Sequence, residues 1–326
     1  MSLSRVALPN ELWDAIIDHL HDDPDALRVA ALVCRTWVRT SRFHLFEALA
    51  FSPKSALRAA CLDALLASPH GTIAPAVRKL SLPETLALVK VRCPQTGAVF
   101  LMTLLGLIPH VAQLRHVRDL ALSDLAWPLL RPGALSSVER LTLSRMCVGA
   151  CLIRITAALP RLTHLSLDGV AAVPFRGSGQ SAAAAGRMPA SLHTVSISGS
   201  SIAFLGWLSL AAPHVARLTI DGLASYELDH LAAYLAVLGP ALEFLALSFF
   251  GTTVDERALP PLLTPCTSLK SLLVHFAVNS EARRFFAFGA VGPWPADMRL
   301  EVAVPTGESL EELVHNASVN VGALKA

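Results

Sequence analysis

Cys147 and Cys151 lie four residues apart, a spacing that sets two thiols on one helix face. Two thiolates are half of a structural zinc site. The other half needs Cys or His at finger spacing, and the chain has none there, so buried thiols are expected. Gly177-Ser-Gly179-Gln-Ser-Ala182 imitates a dinucleotide loop. It follows Pro174-Phe-Arg rather than a strand, and it meets Pro189 too soon for the helix whose N-terminus would hold a pyrophosphate. His19-x-His21 falls at a predicted helix end, and the other histidines are scattered. Gly-x-Ser-x-Gly, a phosphate loop and His-Glu-x-x-His do not occur. Arg115-His-Val-Arg118 and Arg283-Arg284 are too sparse for a nucleic-acid surface. Asn316-Ala-Ser318 is a glycosylation sequon that needs a secretory route. The expectation is a protein that is not an enzyme, with no catalytic residues, cofactor or metal.

The composition points the same way. Apolar residues make up 53% of 326 and charged residues 16%, against roughly 25% charged in an average domain. A chain this apolar is expected to fold for most of its length. The formal net charge of +2 names no polyanionic partner. Mean hydropathy is +0.51, so a membrane span has to be weighed. The longest uncharged run, 93–114, contains Pro94, Gln95, Pro109, His110 and Gln113. Its apolar heart, 98–108, is about half of the ~20 residues a spanning helix needs, which favours a buried helix. The first residues lack an apolar stretch of signal-peptide length. A cytoplasmic or nuclear compartment is expected, with the six cysteines as thiols.

The elements that must do the work begin at Pro9. Leu12, Ile16 and Leu20 recur at helical spacing, with Trp13 and Ile17 beside them and Glu11 and Asp14 in the first turn. That helix should stop near His21-Asp-Asp-Pro24. Asp23 should cap a second helix with Pro24 at its first position. Leu27, Ala30, Ala31 and Cys34 form its stripe, and a third helix runs through Trp37 to about Phe46. Three helices this short do not bury their apolar faces among themselves. They are either a cap on the rest of the chain or a docking module completed by another protein.

Leu8-Pro9-Asn-Glu11-Leu12, Ile16-Ile17-x-x-Leu20, Leu27, Val33-Cys34-Arg35-x-Trp37 and Leu45-Phe46 together resemble an F-box, over residues 6–48. The chain is thus similar to F-box proteins of the fungal type. The resemblance implies a substrate-recognition adaptor of a Skp–cullin–F-box ubiquitin ligase, with the box docking on the Skp-type linker protein. It implies that Leu8, Pro9, Leu12, Ile16, Ile17, Leu20, Leu27, Val33, Cys34 and Trp37 supply the linker-binding and core positions, undivided between those roles. The acidic Asp22-Asp23-Pro24-Asp25 departs from what an apolar contact wants.

A connector follows at 49–72. Ser52-Pro53 caps it, and Leu57, Cys61, Leu62 and Leu65 give a helical stripe that Pro69-His70-Gly71 ends. From 73 to 326 the chain repeats the phrase apolar-x-x-apolar-x-apolar, as in Val77-Arg-Lys-Leu80-Ser-Leu82 and Leu162-Thr-His-Leu165-Ser-Leu167. The middle residues fall at 80, 120, 141, 165, 195, 218, 245 and 272. The alternation is a strand's, and the stretches between are helical, as at 153–159, 228–238 and 259–263.

This resembles a leucine-rich repeat, which implies an α/β fold: an irregular solenoid with a curved parallel sheet. Five residues past each middle position the family places Asn or Cys. Here that position holds Thr85, Leu125, Met146, Val170, Ser200, Leu223, Phe250 and Ala277, so the loop backbone must be satisfied otherwise. An extra element is expected around 98–107, a surface insertion at 176–186, a last strand at 298–304 and a capping helix at 306–317.

If the three apolar residues of each phrase point inward, the residues between them form the opposite face. Arg140, His164, Arg217 and Phe244 lie there, and Phe249 and Phe276 fall in late turns. Arg with aromatics is the usual anchor of a protein interface. These six are the candidate substrate-binding residues, toward an unknown protein substrate. The alternative is a protein-binding scaffold in which the N-terminal helices are only a cap.

Overall fold

A computed structural model describes residues 8–50, 61, 64–68, 73–82, 113–123, 135–145, 147–148, 155–172, 189–199, 205, 214–224, 227–249, 259–275 and 299–303. The chain divides into two compact units, Met1–Val138 and Glu139–Ala326.

In the first unit three helices, α1 (Asn10–Asp18), α2 (Pro24–Val33) and α3 (Arg35–Glu47), lead into three strands. Asp23 caps α2 as its sequence requires, its Oδ1 accepting from the amides of Asp25 and Ala26 at 3.1 and 3.0 Å. The strands are β1 (Ala48–Ala50), β2 (Lys79–Leu82) and β3 (Asp119–Ser123). They are parallel, with Leu49, Leu80 and Leu120 in register. β1 lies where the connector was expected to begin. Phe46-Glu-Ala-Leu49-Ala-Phe51 is itself one more copy of the repeated phrase, hidden at the end of a helix. Part of the connector helix is described, and its inward residue is Leu66 (4% exposed), while Leu65 and Cys61 face out. Leu57 and Leu62 lie outside the described residues, as do the expected elements at 98–107, 176–186 and 306–317.

The second unit repeats the pattern with β4 (Arg140–Ser144), β6 (His164–Asp168), β8 (Thr194–Ser198), β9 (Arg217–Leu223), β10 (Phe244–Phe249), β11 (Ser271–His275) and β12 (Arg299–Ala303). All are parallel, and Leu141, Leu165, Val195, Leu218, Leu245, Leu272 and Leu300 stand in one register. A short parallel pair, β5 (Cys147–Val148) with β7 (Ala171–Ala172), follows two of these strands. Helices α4 (Leu228–Leu238) and α5 (Leu259–Leu263) occupy their expected places. The fold is α/β and leucine-rich-repeat-like.

In each of the eight expected phrases all three apolar residues are buried, none more than 5% exposed. Burying a Leu or Val contributes about 1.5–3 kcal/mol, and a one-residue slip would turn every such side chain outward. This is what holds the register.

The missing Asn ladder is replaced by main chain. At strand starts one carbonyl accepts two amides of the next repeat: Glu139 O from Thr163 and His164 at 2.8 and 3.0 Å, Ala216 O from Glu243 and Phe244 at 2.8 and 3.0 Å. At strand ends a left-handed residue gives its amide to the next strand. Arg145 (φ 51°) donates to Asp168 O at 2.7 Å, Gly169 (φ 58°) to Ser198 O at 2.8 Å and Gly199 (φ 54°) to Asp221 O at 3.2 Å. Val170 after Gly169, and Leu223 after Gly222 (φ 82°), stand where the Asn would be and are buried and apolar instead.

Gly239 is needed for space. A Cβ there would lie 2.4 Å from the backbone oxygen of Pro265, which a flexible side chain cannot relieve. Gly239→Ala should therefore cost about 2 kcal/mol or more, seen as a lower urea midpoint at unchanged slope. Tyr234 is 1% exposed and its hydroxyl has no partner among the described residues. Tyr234→Phe removes only that buried oxygen. It should leave stability unchanged or raise it by up to about 1 kcal/mol in the same measurement.

Candidate functional site

In the first unit α3 packs against both α1 and α2. Helical periodicity sends Ile17 inward (0% exposed) and gives α2 the buried pair Leu27 and Ala30. Trp13 stacks on Trp37 with ring centroids 4.8 Å apart. Thr40 Oγ1 donates to Asp14 Oδ1, and His44 Nε2 lies 2.7 Å from Asp18 Oδ1. These contacts lock α1 to α3 along one side. The other side of α1 is then left outward, with Leu12 51% and Ile16 46% exposed.

The expected linker-binding set thus divides. Ile17 and Leu27 are core, Leu20 and Trp37 are half-buried, and Leu8, Pro9, Leu12, Ile16, Val33 and Cys34 are exposed. Two further outward apolar residues escaped the sequence reading: Val29 at 65% and Leu32 at 87% exposure. The signal was present. With Leu27 and Ala30 inward, a period of 3.6 turns positions 29, 32 and 33 outward. The acidic run that departed from the F-box pattern has local duties. Asp23 caps α2, Asp25 pairs with Arg28, and Asp22 lies 3.0 Å from His21.

Cys34 sits in the extended link between α2 and α3, its Sγ 3.0 Å from Thr36 Oγ1. The Thr36 hydroxyl first, then the Trp37 amide, hold this thiol below the usual range for cysteine. Cys266 is the opposite case: burial pushes its thiol up to about 11. Cys147 and Cys151 contribute no described side chain.

On the second unit's sheet the residues between the buried ones face outward. Arg140, His164 and Arg217 are exposed and Phe244 is half-buried. The Arg217 guanidinium lies over the Phe244 ring at 4.4 Å. His164 meets His193 edge-on at 5.5 Å, and its Nδ1 lies 2.7 Å from Thr163 Oγ1. Phe249 has to be corrected. It is 2% exposed and belongs to the core rather than to a binding turn. Strand parity explains this, since 245, 247 and 249 share one face of β10. Phe276 lies outside the described residues.

No family model matches the chain, and no curated protein matches it. Among solved structures, the leucine-rich repeat-containing protein LegL7 of Legionella pneumophila is similar at 17% identity and a TM-score of 0.45, over 83% of this chain and 95% of that one. No helix among the described residues is long and apolar enough to cross a membrane.

The cysteines provide a direct check of these surfaces. Thiolate is the reactive form, so Cys34, exposed and shifted down, should be alkylated by iodoacetamide at neutral pH. Cys266 should react only after unfolding. Mass spectrometry of timed, quenched samples reads both, and early labelling of Cys266 would contradict its burial.

Proposed function

We propose that the chain is a substrate-recognition adaptor of a Skp–cullin–F-box ubiquitin ligase. In this reading the N-terminal helices dock on a Skp-type linker protein and the repeats hold a protein substrate. The chain does no chemistry itself; it supplies proximity, in the cytoplasm or nucleus where the ligase works. The observation that supports this is the outward apolar set on α1, α2 and the residues just before α1: Leu8, Leu12, Ile16, Val29, Leu32 and Val33, each more than 40% exposed. Scattered apolar residues are normal on a surface, but a helix pair that turns five of them to water, with Leu8 beside them in the chain, favours docking over capping. Covering a Leu or Val side chain contributes at most about 1.5–3 kcal/mol, and association itself costs several kcal/mol, so a stable contact has to cover most of the set.

The test uses the full chain and a recombinant Skp-type linker protein. The pair should co-purify, and the linker should slow alkylation of Cys34. Leu12→Asp with Leu32→Asp should weaken capture by a hundredfold or more. Both positions are exposed, so an unchanged circular dichroism spectrum is expected alongside. Capture that survives both substitutions, or no capture by the unaltered chain, would leave the scaffold reading in its place.

A further inference from the structure

Two charged edges run along the outward face of the second unit's sheet. One edge carries its charge on Arg140 and Arg217, with the His164 imidazole between them, each in register just before the middle apolar residue of its strand. The other, four residues further along the strands, carries Asp168 and Asp221, both exposed. Four residues of strand span about 13 Å, so the cationic and acidic edges are separated by about that distance. The floor between them is short: Thr142, Ser166, Ser196 and Thr219. Phe244 ends the cationic edge and carries Arg217 on its ring. On the acidic edge, Ser198 Oγ donates to Asp221 Oδ2 at 3.3 Å.

We propose that this face receives a helical segment of a protein substrate with one acidic and one basic flank. The acidic flank lies toward Arg140, His164 and Arg217, and the basic flank toward Asp168 and Asp221. This rests on reading the repeats as the substrate-holding part of the adaptor. A helix is about 10–12 Å across with its side chains, which matches the strip between the edges. An extended segment finds no strand edge to pair with, because the backbones of the inner strands are already paired on both sides. A nucleic acid would bring its phosphates against Asp168 and Asp221. The short floor lets a helix settle close enough for charges on both flanks to engage. Four strands, about 14 Å at ~4.8 Å spacing, accommodate roughly nine residues of helix.

The experiment is selection of a displayed library of helical peptides on the immobilised full chain. The expected consensus has Asp or Glu on one flank and Lys or Arg on the opposite one. Arg140→Glu with Arg217→Glu should weaken the selected peptides at least tenfold, and Asp168→Lys with Asp221→Lys should do the same independently. A library that does not enrich, a consensus of one sign only, or peptides indifferent to both pairs of substitutions would overturn the proposal. Linker capture should be unchanged by either pair. Failure here with capture intact sinks only the helix reading, whereas lost capture by the unaltered chain sinks the adaptor reading.

Discussion

The structure depends on the way each repeat passes its backbone to the next. At the mouth of most strands a single carbonyl takes two amides, as Thr163 O does from His193 and Thr194 at 3.2 and 3.1 Å. Buried main-chain groups without partners would cost about 1–3 kcal/mol each. The pairing and the buried apolar triplets therefore have to be satisfied together. Side chains that alternate with the triplets are then delivered outward at fixed strand spacing. The charged edges exist because the core residues leave those positions no other direction.

The same economy governs the first unit. α3 holds α1 through Trp13–Trp37 and two polar contacts, packs against α2, whose Leu27 and Ala30 are buried, and runs directly into β1. Its far end is tied to β2 as well: Arg78 N donates to Glu47 O at 2.8 Å, and the Arg78 guanidinium lies over Phe43 at 5.6 Å. The helices are therefore joined to the first rungs by a continuous element. A partner seated on α1 and α2 would be held at a defined reach from them, which is what an adaptor of the proposed kind requires.

The repeat was legible because period-two alternation with three apolar positions per phrase has only one buried arrangement. Leu80, Leu165 and Leu272 all fall on the rung their phrases assign. β1 was hidden because Phe46 to Phe51 satisfies a helix ending and a strand beginning at once. Phe249 was misplaced by weighing its residue type over its parity in β10. Leu32 and Val29 were missed because the stripe on α2 was read only for what it buries, although the same period fixes its outward side. The left-handed turns were unreadable at Arg145, where a non-glycine residue takes a positive φ that Gly169 and Gly199 adopt without strain.

A series of turns joined mainly by amide and carbonyl, with scattered Ser and Thr hydroxyls in place of a side-chain ladder, has a consequence for how such a chain can change. Asparagine ladders demand a matching residue in every copy, whereas peptide groups are common to all amino acids. Spacer lengths between neighbouring rungs are therefore at liberty to drift, and here they range from 21 to 40 residues. A duplicated phrase can join the stack without any complementary change in its neighbours. The architecture is tolerant of growth in the one dimension along which it is built.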